Sequence, residues 1–198
     1  MNHVTKCKIV YGIYSIPMTI WLKMKGVQVN FLYSGGLMYV AKSKGSIVKI
    51  GEKCRFMSKS WGNPIGINHR CMICAAENAQ IIIGKMCSFS GVSIRCHRSI
   101  ILGNYVRVGA NALIMDGDGH ANDPRSNGSK PIVIEDHVWI GTNVMILKGV
   151  RIGKNSVIGA GSIVTKDIPA NSVAVGNPCR VVKVLKDDIV NNLEGLKN

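Results

Sequence analysis

The residues best suited to chemistry are concentrated between Asp116 and His120. The stretch DGDGH places two carboxylates and one imidazole within five residues, and its glycines allow the main chain to turn sharply. Because imidazole titrates near neutral pH, a histidine in such a loop can take a proton from a weak nucleophile such as a hydroxyl. Asp118 or Asp116 would then orient the ring and stabilise the imidazolium. The alternative is that both acids only close turns within the loop.

A six-residue repeat surrounds this loop. An aliphatic residue opens every sixth position from residue 134 to residue 165: Ile134, Ile140, Ile146, Ile152, Ile158 and Val164. The position two residues before each of these is also small or apolar. A unit with two inward residues followed by a bend is typical of a short strand and a turn, and three such strands close a triangular coil. Since one coil cannot bury its apolar face alone, the sequence predicts an all-β solenoid of stacked parallel strands, a β-helix.

The repeat is interrupted between Ile114 and Ile132 by a long polar segment. A regular solenoid has little reason to insert such a segment unless the loop is used. We therefore expect an N-terminal arm or cap at 1–44, a solenoid domain at 45–182 with one extruded loop at 115–131, and a short helical tail at 183–198.

Three phrases in the repeat carry a resemblance to a known family. They are VWIG at 138–141, GAGSIVTKDIP at 159–169 and VGNPCRVVK at 175–183. In this combination they resemble the hexapeptide-repeat acyltransferases, including the galactoside and maltose O-acetyltransferases. The resemblance implies a left-handed parallel β-helix, acetyl-CoA as co-substrate and a homotrimer with its sites between subunits. It also implies that His120 is the general base.

The same resemblance assigns residues to the acetyl-CoA groove. These positions are Trp139, Thr142, Ala160, Thr165, Lys166 and Arg180. The two cations would meet the phosphates of the co-substrate. Trp139 would wall the acyl pocket, or would be a packed aromatic residue at a corner of the coil.

The acceptor positions depart from the galactoside enzymes. His97 stands where those enzymes have an acidic acceptor-binding residue, and the asparagine expected earlier is replaced near Ser90. Ser90 and His97 are therefore the candidate acceptor residues, and neither a galactoside nor a maltose acceptor is expected. Phrases such as NPIGINH at 63–69 resemble acetyltransferases of capsule and lipopolysaccharide synthesis, which implies a sugar hydroxyl. An amine on a nucleotide-linked amino sugar stays open, because it needs a base too.

The charge of the chain favours an anionic partner. The formal net charge is +14, and residues 1–66 contain ten Lys or Arg against one acid, Glu52. No sequence signature of a nucleic-acid-binding motif is present, so nucleic acid is not an expected partner. The apolar run Ile9–Leu22 lies between lysines and predicts an arm that packs on the body, or an anchor at the inner membrane face.

Other interpretations concern metal and compartment. Seven cysteines form no evident disulfide framework, which favours a cytoplasmic protein with reduced thiols. The pair Cys71 and Cys74 lacks the second half of a zinc site, so we expect no metal. A γ-class carbonic anhydrase would need three histidines on zinc, and the histidine spacing here does not fit that class. A non-catalytic β-helix that acts as a binding subunit remains the alternative from another class.

Overall fold

The computed structural model describes residues 3–63, 65–120 and 123–195. Its helices are α1 (His3–Met24), a single 3-10 turn (Ser60–Gly62) and α2 (Asp187–Gly195). The strands, in chain order, are β1 (Gln28–Val29), β2 (Tyr33–Gly35), β3 (Tyr39–Lys42), β4 (Ile47–Ile50), β5 (Arg55–Met57), β6 (Met72–Ala75), β7 (Gln80–Ile83), β8 (Ser88–Ser90), β9 (Ser93–Cys96), β10 (Ser99–Leu102), β11 (Arg107–Val108), β12 (Leu113–Met115), β13 (Ile132–Ile134), β14 (Trp139–Ile140), β15 (Met145–Ile146), β16 (Arg151–Ile152), β17 (Val157–Ile158), β18 (Ile163–Val164), β19 (Ser172–Val175) and β20 (Arg180–Val184).

These strands build a triangular solenoid with three parallel sheets as its faces. Face 1 has the order β1-β4-β7-β10-β13-β16, and face 3 has the order β3-β6-β9-β12-β15-β18. Face 2 runs β2-β5-β8-β11-β14-β17-β19 and ends with β20, which pairs antiparallel with β19. Each coil therefore contributes one strand to each face, as the repeat predicted.

The repeated aliphatic positions form the core. All six residues that open the repeats, from Ile134 to Val164, are fully buried. The positions two residues earlier are at most 1% exposed: Ile132, Val138, Val144, Val150, Ser156 and Ser162. Nearer the N-terminus, Phe56 stacks on Phe89 with ring centroids 4.6 Å apart. The interior is thus one apolar column, which confirms the predicted β-helix.

The corners explain why turn residues recur after each strand. Lys53, Met86, Tyr105, His137, Asn155 and Asn171 occupy the same corner on successive coils, with φ between 57° and 62°. The corner also brings main chains very close together, since a Cβ on Gly84 would lie 2.4 Å from the Gly103 carbonyl oxygen. Only glycine fits such an approach, so these positions fix the stacking of the coils.

The solenoid starts one coil earlier than the expected boundary at residue 45. Strands β1, β2 and β3 form a complete coil that pairs with β4, β5 and β6. The inward residue of β2 is Ser34, which is fully buried and donates its hydroxyl to the Gly36 carbonyl oxygen at 2.6 Å. Because the inward position of β2 holds a serine and not an aliphatic residue, the repeat of apolar residues did not identify this coil.

A second excursion leaves the solenoid between β5 and β6. The inward residues Phe56 and Ile73 are seventeen residues apart, whereas a regular coil spaces them by six. Within the excursion, Asn63 Nδ2 donates to Ser90 Oγ at 3.2 Å, and Asn68 N donates to Asn111 Oδ1 at 2.8 Å. The repeat pattern predicted one extruded loop at 115–131, and this second excursion was not predicted although the spacing of the aliphatic residues is broken here.

Helix α1 covers the first coil. Ser15 Oγ accepts a hydrogen bond from Ser34 N at 3.0 Å, and Met18 and Leu22 are buried against the coil. Within the parts of the chain that the structure describes, no helix has the length and apolar character needed to cross a membrane.

Candidate active site

The loop that interrupts the repeat leaves the solenoid after β12 and returns at β13. Its first residue, Asp116, is fully buried, and its carboxylate accepts hydrogen bonds from the main-chain N–H groups of His97, Arg98 and Ser99 at 2.6–2.8 Å. Cys96 donates its thiol to the same carboxylate at 3.4 Å. Burial and the neighbouring Asp116 raise the pKa of Cys96 to about 12, so this thiol keeps its proton. Asp116 therefore joins the base of the loop to the preceding corner of the coil.

His120 lies at the exposed part of the loop. Its Nδ1 is 2.9 Å from the main-chain carbonyl oxygen of Asp118. Because a carbonyl oxygen only accepts, this contact requires a proton on Nδ1, and in the neutral ring the lone pair then lies on Nε2. The expected contact between an acid side chain and this ring is thus replaced by a contact with the main chain. The arrangement still gives the tautomer that a general base requires.

The Asp118 carboxylate serves to hold the loop. It pairs with the ammonium of Lys148, which follows β15, and accepts a hydrogen bond from Ser126 Oγ at 3.1 Å. Lys148 Nζ also donates to the Gly128 carbonyl oxygen at 3.1 Å. The ammonium of Lys148 holds the pKa of the Asp118 carboxyl below its ordinary value, and the Ser126 hydroxyl acts in the same direction. One lysine of the solenoid thereby ties down two points of the loop.

His97 shares a pocket with His120. The pocket has a volume of about 210 Å³, and its remaining lining comes from Asp118, Ser126, Ser129 and three glycines of the loop. His97 Nδ1 is buried without a hydrogen-bond partner and is 3.6 Å from the Asp116 carboxylate. The His97 ring therefore lies beside a fully buried carboxylate. Spacing alone could not show that positions 97 and 120 meet.

The predicted acetyl-CoA residues border face 3 of the solenoid. Thr142 and Ala160 lie on its edge with face 2, and the Gly161 N–H donates to the Thr142 carbonyl oxygen at 2.9 Å. Thr165 and Lys166 follow β18 on the other edge, the edge that also carries the His120 loop. Arg180 comes next to this face because Cys179 N donates to the Ile163 carbonyl oxygen at 2.9 Å.

The outer side of face 3 is apolar between these edges. Met145 is exposed, and Ile163 is half-buried beside it in the register of β15 and β18. Main-chain groups on one edge, Lys166 on the other and Arg180 beside the start of β18 would suit a ligand with an apolar arm and anionic ends.

The structure does not bring Trp139 and Ser90 to the His120 pocket. Trp139 is exposed on face 2 and lines a separate cavity of about 280 Å³ with Tyr105 and His137, whose rings stack 4.6 Å apart. Ser90 ends β8 at the opposite end of β9 from His97 and contacts the second excursion through Asn63. Their predicted roles in the acyl pocket and at the acceptor stay predictions.

No cluster of three or more His, Cys, Asp or Glu side chains that could hold a metal ion occurs among the residues that the structure describes. Cys71 of the CxxC pair is buried, and burial raises the pKa of its thiol. Cys74 is half-buried on the adjacent strand β6. Both thiols are free and belong to the packing of the second coil.

Residues 131–166 match the protein family described as bacterial transferase hexapeptide (six repeats). The matched segment begins at the end of the His120 loop and runs through β18. This segment therefore carries the six-residue repeats that the family model describes. The coils of this hexapeptide-repeat domain wind as a left-handed parallel β-helix, as the resemblance implied.

Two curated relatives share about half of their residues with this chain over part of its length. The galactoside O-acetyltransferase of Lactococcus lactis is 52% identical over 144 residues, which cover 70% of this chain and 64% of the relative. The galactoside O-acetyltransferase of Escherichia coli is 50% identical over 93 residues, which cover 45% of this chain and 46% of the relative. The matches thus span about half to two thirds of these relatives.

Several solved structures resemble the structure of this chain over nearly its whole length. A galactoside acetyltransferase in complex with coenzyme A is 26% identical, with a TM-score of 0.52, and the match covers 94% of this chain and 80% of that one. AntD, an N-acyltransferase from Bacillus cereus in complex with dTDP and 3-hydroxybutyryl-CoA, is 18% identical with a TM-score of 0.65, covering 90% and 94%. The second likeness concerns the fold alone.

We expect Lys148→Met to lower turnover by about tenfold, because Lys148 ties down the loop of the candidate base His120 and a small displacement of a reacting group is costly. The ion pair keeps the pKa of Asp118 below its ordinary value, so it is present at neutral pH and is lost only as the pH falls through that lowered pKa. At neutral pH it therefore keeps the loop tied to the solenoid at Asp118.

The measurement is the pH profile of turnover with the melting temperature. Lys148→Arg should restore most of the turnover, and melting should change little because the pair is partly exposed. Equal losses in Lys148→Met and Lys148→Arg, or a large fall in melting temperature, would assign Lys148 a different role.

Proposed function

We propose that this protein transfers an acetyl group from acetyl-CoA to a sugar hydroxyl, with His120 as the general base. The observation that carries the proposal is the hydrogen bond from His120 Nδ1 to the Asp118 carbonyl oxygen. In the neutral ring this hydrogen bond leaves Nε2 as the acceptor in an open pocket, where a hydroxyl can donate to it. The relatives named as galactoside O-acetyltransferases support the same reaction class.

The proposed step moves one proton and one acyl group. His120 Nε2 removes the hydroxyl proton as the sugar oxygen attacks the thioester carbonyl carbon. The tetrahedral intermediate then expels the CoA thiolate, which takes up the proton from the imidazolium. The dipole of the Asp118 carbonyl stabilises the imidazolium through Nδ1–H. The Asp118 carboxylate contributes by fixing the loop through Lys148.

The co-substrate would lie along face 3. Its apolar arm would cover Met145, while Lys166 and Arg180 would meet its phosphates. We propose that a neighbouring subunit covers this groove in a homotrimer, since a single chain leaves the apolar strip on face 3 open. We propose that the protein acts in the cytoplasm, where thiols stay reduced, and the free thiols of the described cysteines support this location.

For the acceptor, we propose a sugar of a cell-surface polysaccharide such as capsule or lipopolysaccharide. His97 faces the pocket beside His120, where an acidic residue is expected in the galactoside enzymes. A galactoside is the second candidate, because the names of both curated relatives favour it. A thiol-release assay over free sugars, galactosides and nucleotide-linked amino sugars would separate the three acceptor classes. Release with the amino sugar alone would contradict O-acetylation.

We expect acetyl-CoA to raise the melting temperature, because a ligand that binds only the folded state at 100 times its Kd stabilises it by about 2.7 kcal/mol. Lys166→Ala should weaken this effect by removing a charge that meets phosphate, and Lys154→Ala is the matched control at a face 1–face 2 corner. Absence of a shift at millimolar acetyl-CoA would favour the non-catalytic binding subunit.

A further inference from the structure

Helix α1 places two hydroxyl side chains on the side that packs against the solenoid and several apolar side chains on the side that faces solvent. The side that packs on the solenoid contains two hydroxyl residues: Ser15 Oγ accepts from Ser34 N at 3.0 Å, and Thr19 Oγ1 donates to the Ser15 carbonyl oxygen at 2.7 Å. Met18 and Leu22 complete this side and are buried. A helix on a protein surface ordinarily turns such hydroxyls to water and its apolar residues inward.

The outer side of α1 is a continuous apolar stripe. Ile13, Ile16, Ile20 and Met24 follow one another at steps of three or four residues, so they lie on one face of the helix. Their exposed fractions are 61%, 61%, 55% and 80%. Single exposed apolar residues are common, but four in a row on one helix face mark an interaction surface.

Cations border this stripe and rest on aromatic rings. Lys25 Nζ lies 5.7 Å from the ring centroid of Trp21, and Lys59 Nζ lies 5.4 Å from that of Tyr14. The guanidinium carbon of Arg70 lies 5.2 Å from the ring centroid of Tyr39. These rings also line an apolar pocket of about 470 Å³ between α1 and the first coils, beside the exposed Leu37. Aromatic rings with cations at their edges suit the boundary between acyl chains and headgroups.

The positive charge of the N-terminal third of the chain favours an anionic partner for the apolar stripe on α1. Residues 1–66 contain ten Lys or Arg and one acid, Glu52, which accepts a hydrogen bond from Asn30. A second copy of this surface would oppose like charges, whereas an anionic bilayer offers opposite charge and an apolar interior.

We propose that the outer face of α1 binds the surface of an anionic lipid bilayer. Ile13, Ile16, Ile20 and Met24 enter the acyl region, and the flanking lysines contact lipid phosphates. The helix lies flat because Met18 and Leu22 hold its other side on the solenoid. The proposal is independent of acetyl transfer, because binding to a vesicle requires neither acetyl-CoA nor an acceptor.

The test is sedimentation of the full chain with phosphatidylcholine vesicles that contain or lack phosphatidylglycerol. We expect binding to the anionic vesicles only, weakened by high salt. The double variant Ile16→Gln with Ile20→Gln should lower the bound fraction about tenfold or more. The matched control is Val182→Gln with Val184→Gln, since these valines are 61% and 67% exposed at the other end of the solenoid.

Three results would overturn the proposal. They are equal vesicle binding by the isoleucine variant and the valine control, equal binding to neutral and anionic vesicles, and failure of the unaltered chain to bind either. A change of oligomeric mass in the isoleucine variant would assign the stripe to a subunit contact instead. Thiol release with a soluble sugar should be the same in both variants, so loss of vesicle binding can be separated from loss of catalysis.

Discussion

His120→Ala is expected to lower turnover by about 10²–10⁴, the range typical of losing a general base. The ring sits at the exposed part of its loop and bonds to the Asp118 carbonyl oxygen, so its removal leaves the buried base of the loop intact. Binding of acetyl-CoA and the melting temperature should therefore stay near their unaltered values. The measurement is CoA thiol release in the steady state, together with the thermal shift produced by acetyl-CoA.

The matched control for this substitution is Arg125→Ala in the same loop. The Arg125 side chain is 89% exposed and pairs only with its neighbour Asp123 in the described contacts. Its removal should leave turnover within a factor of about two, as is usual for exposed surface positions. Turnover of His120→Ala equal to that of Arg125→Ala would rule out the proposed base.

Asp116→Ala should destabilise the fold by about 3 kcal/mol or more, the largest stability effect that we expect for a loop residue. The carboxylate accepts three main-chain N–H groups at 2.6–2.8 Å, and alanine would leave them without an acceptor. Each unsatisfied buried donor costs about 1–3 kcal/mol. Urea unfolding at fixed protein concentration is the measurement, since subunit association would contribute to the apparent stability.

Two further variants make this prediction decisive. Asp123→Ala removes an acid of the same loop that is paired with Arg125, and should change the stability little because this ion pair is exposed to solvent. Asp116→Asn keeps one side-chain oxygen as acceptor, so its stability should lie between those of Asp116→Ala and Asp123→Ala. This variant keeps the prediction testable even if Asp116→Ala does not fold. Equal midpoints for Asp116→Asn and Asp123→Ala would show that the buried carboxylate does not anchor the loop.

The sequence indicated which candidate site residues lie close together in the chain, but it did not indicate their contacts. DGDGH identified the loop, but nothing in it shows that Asp116 bonds to the corner at 97–99. Stacking β12 on β9 brings these residues together although they are nearly twenty positions apart. The same stacking placed His97 in the pocket of His120. Trp139, which follows the loop in sequence, instead points outward on another face.

The sequence by itself determined the solenoid, because each six-residue unit records which residue must be buried and where the main chain must bend. Ile134 and its successors could be assigned to the core from spacing alone. It also located the loop that carries His120. Only the tertiary structure showed the contacts of the two acids, the first coil with its inward Ser34, and the outward side of α1. These features depend on which main-chain groups and faces meet when coils stack, and a short-range pattern does not contain that information.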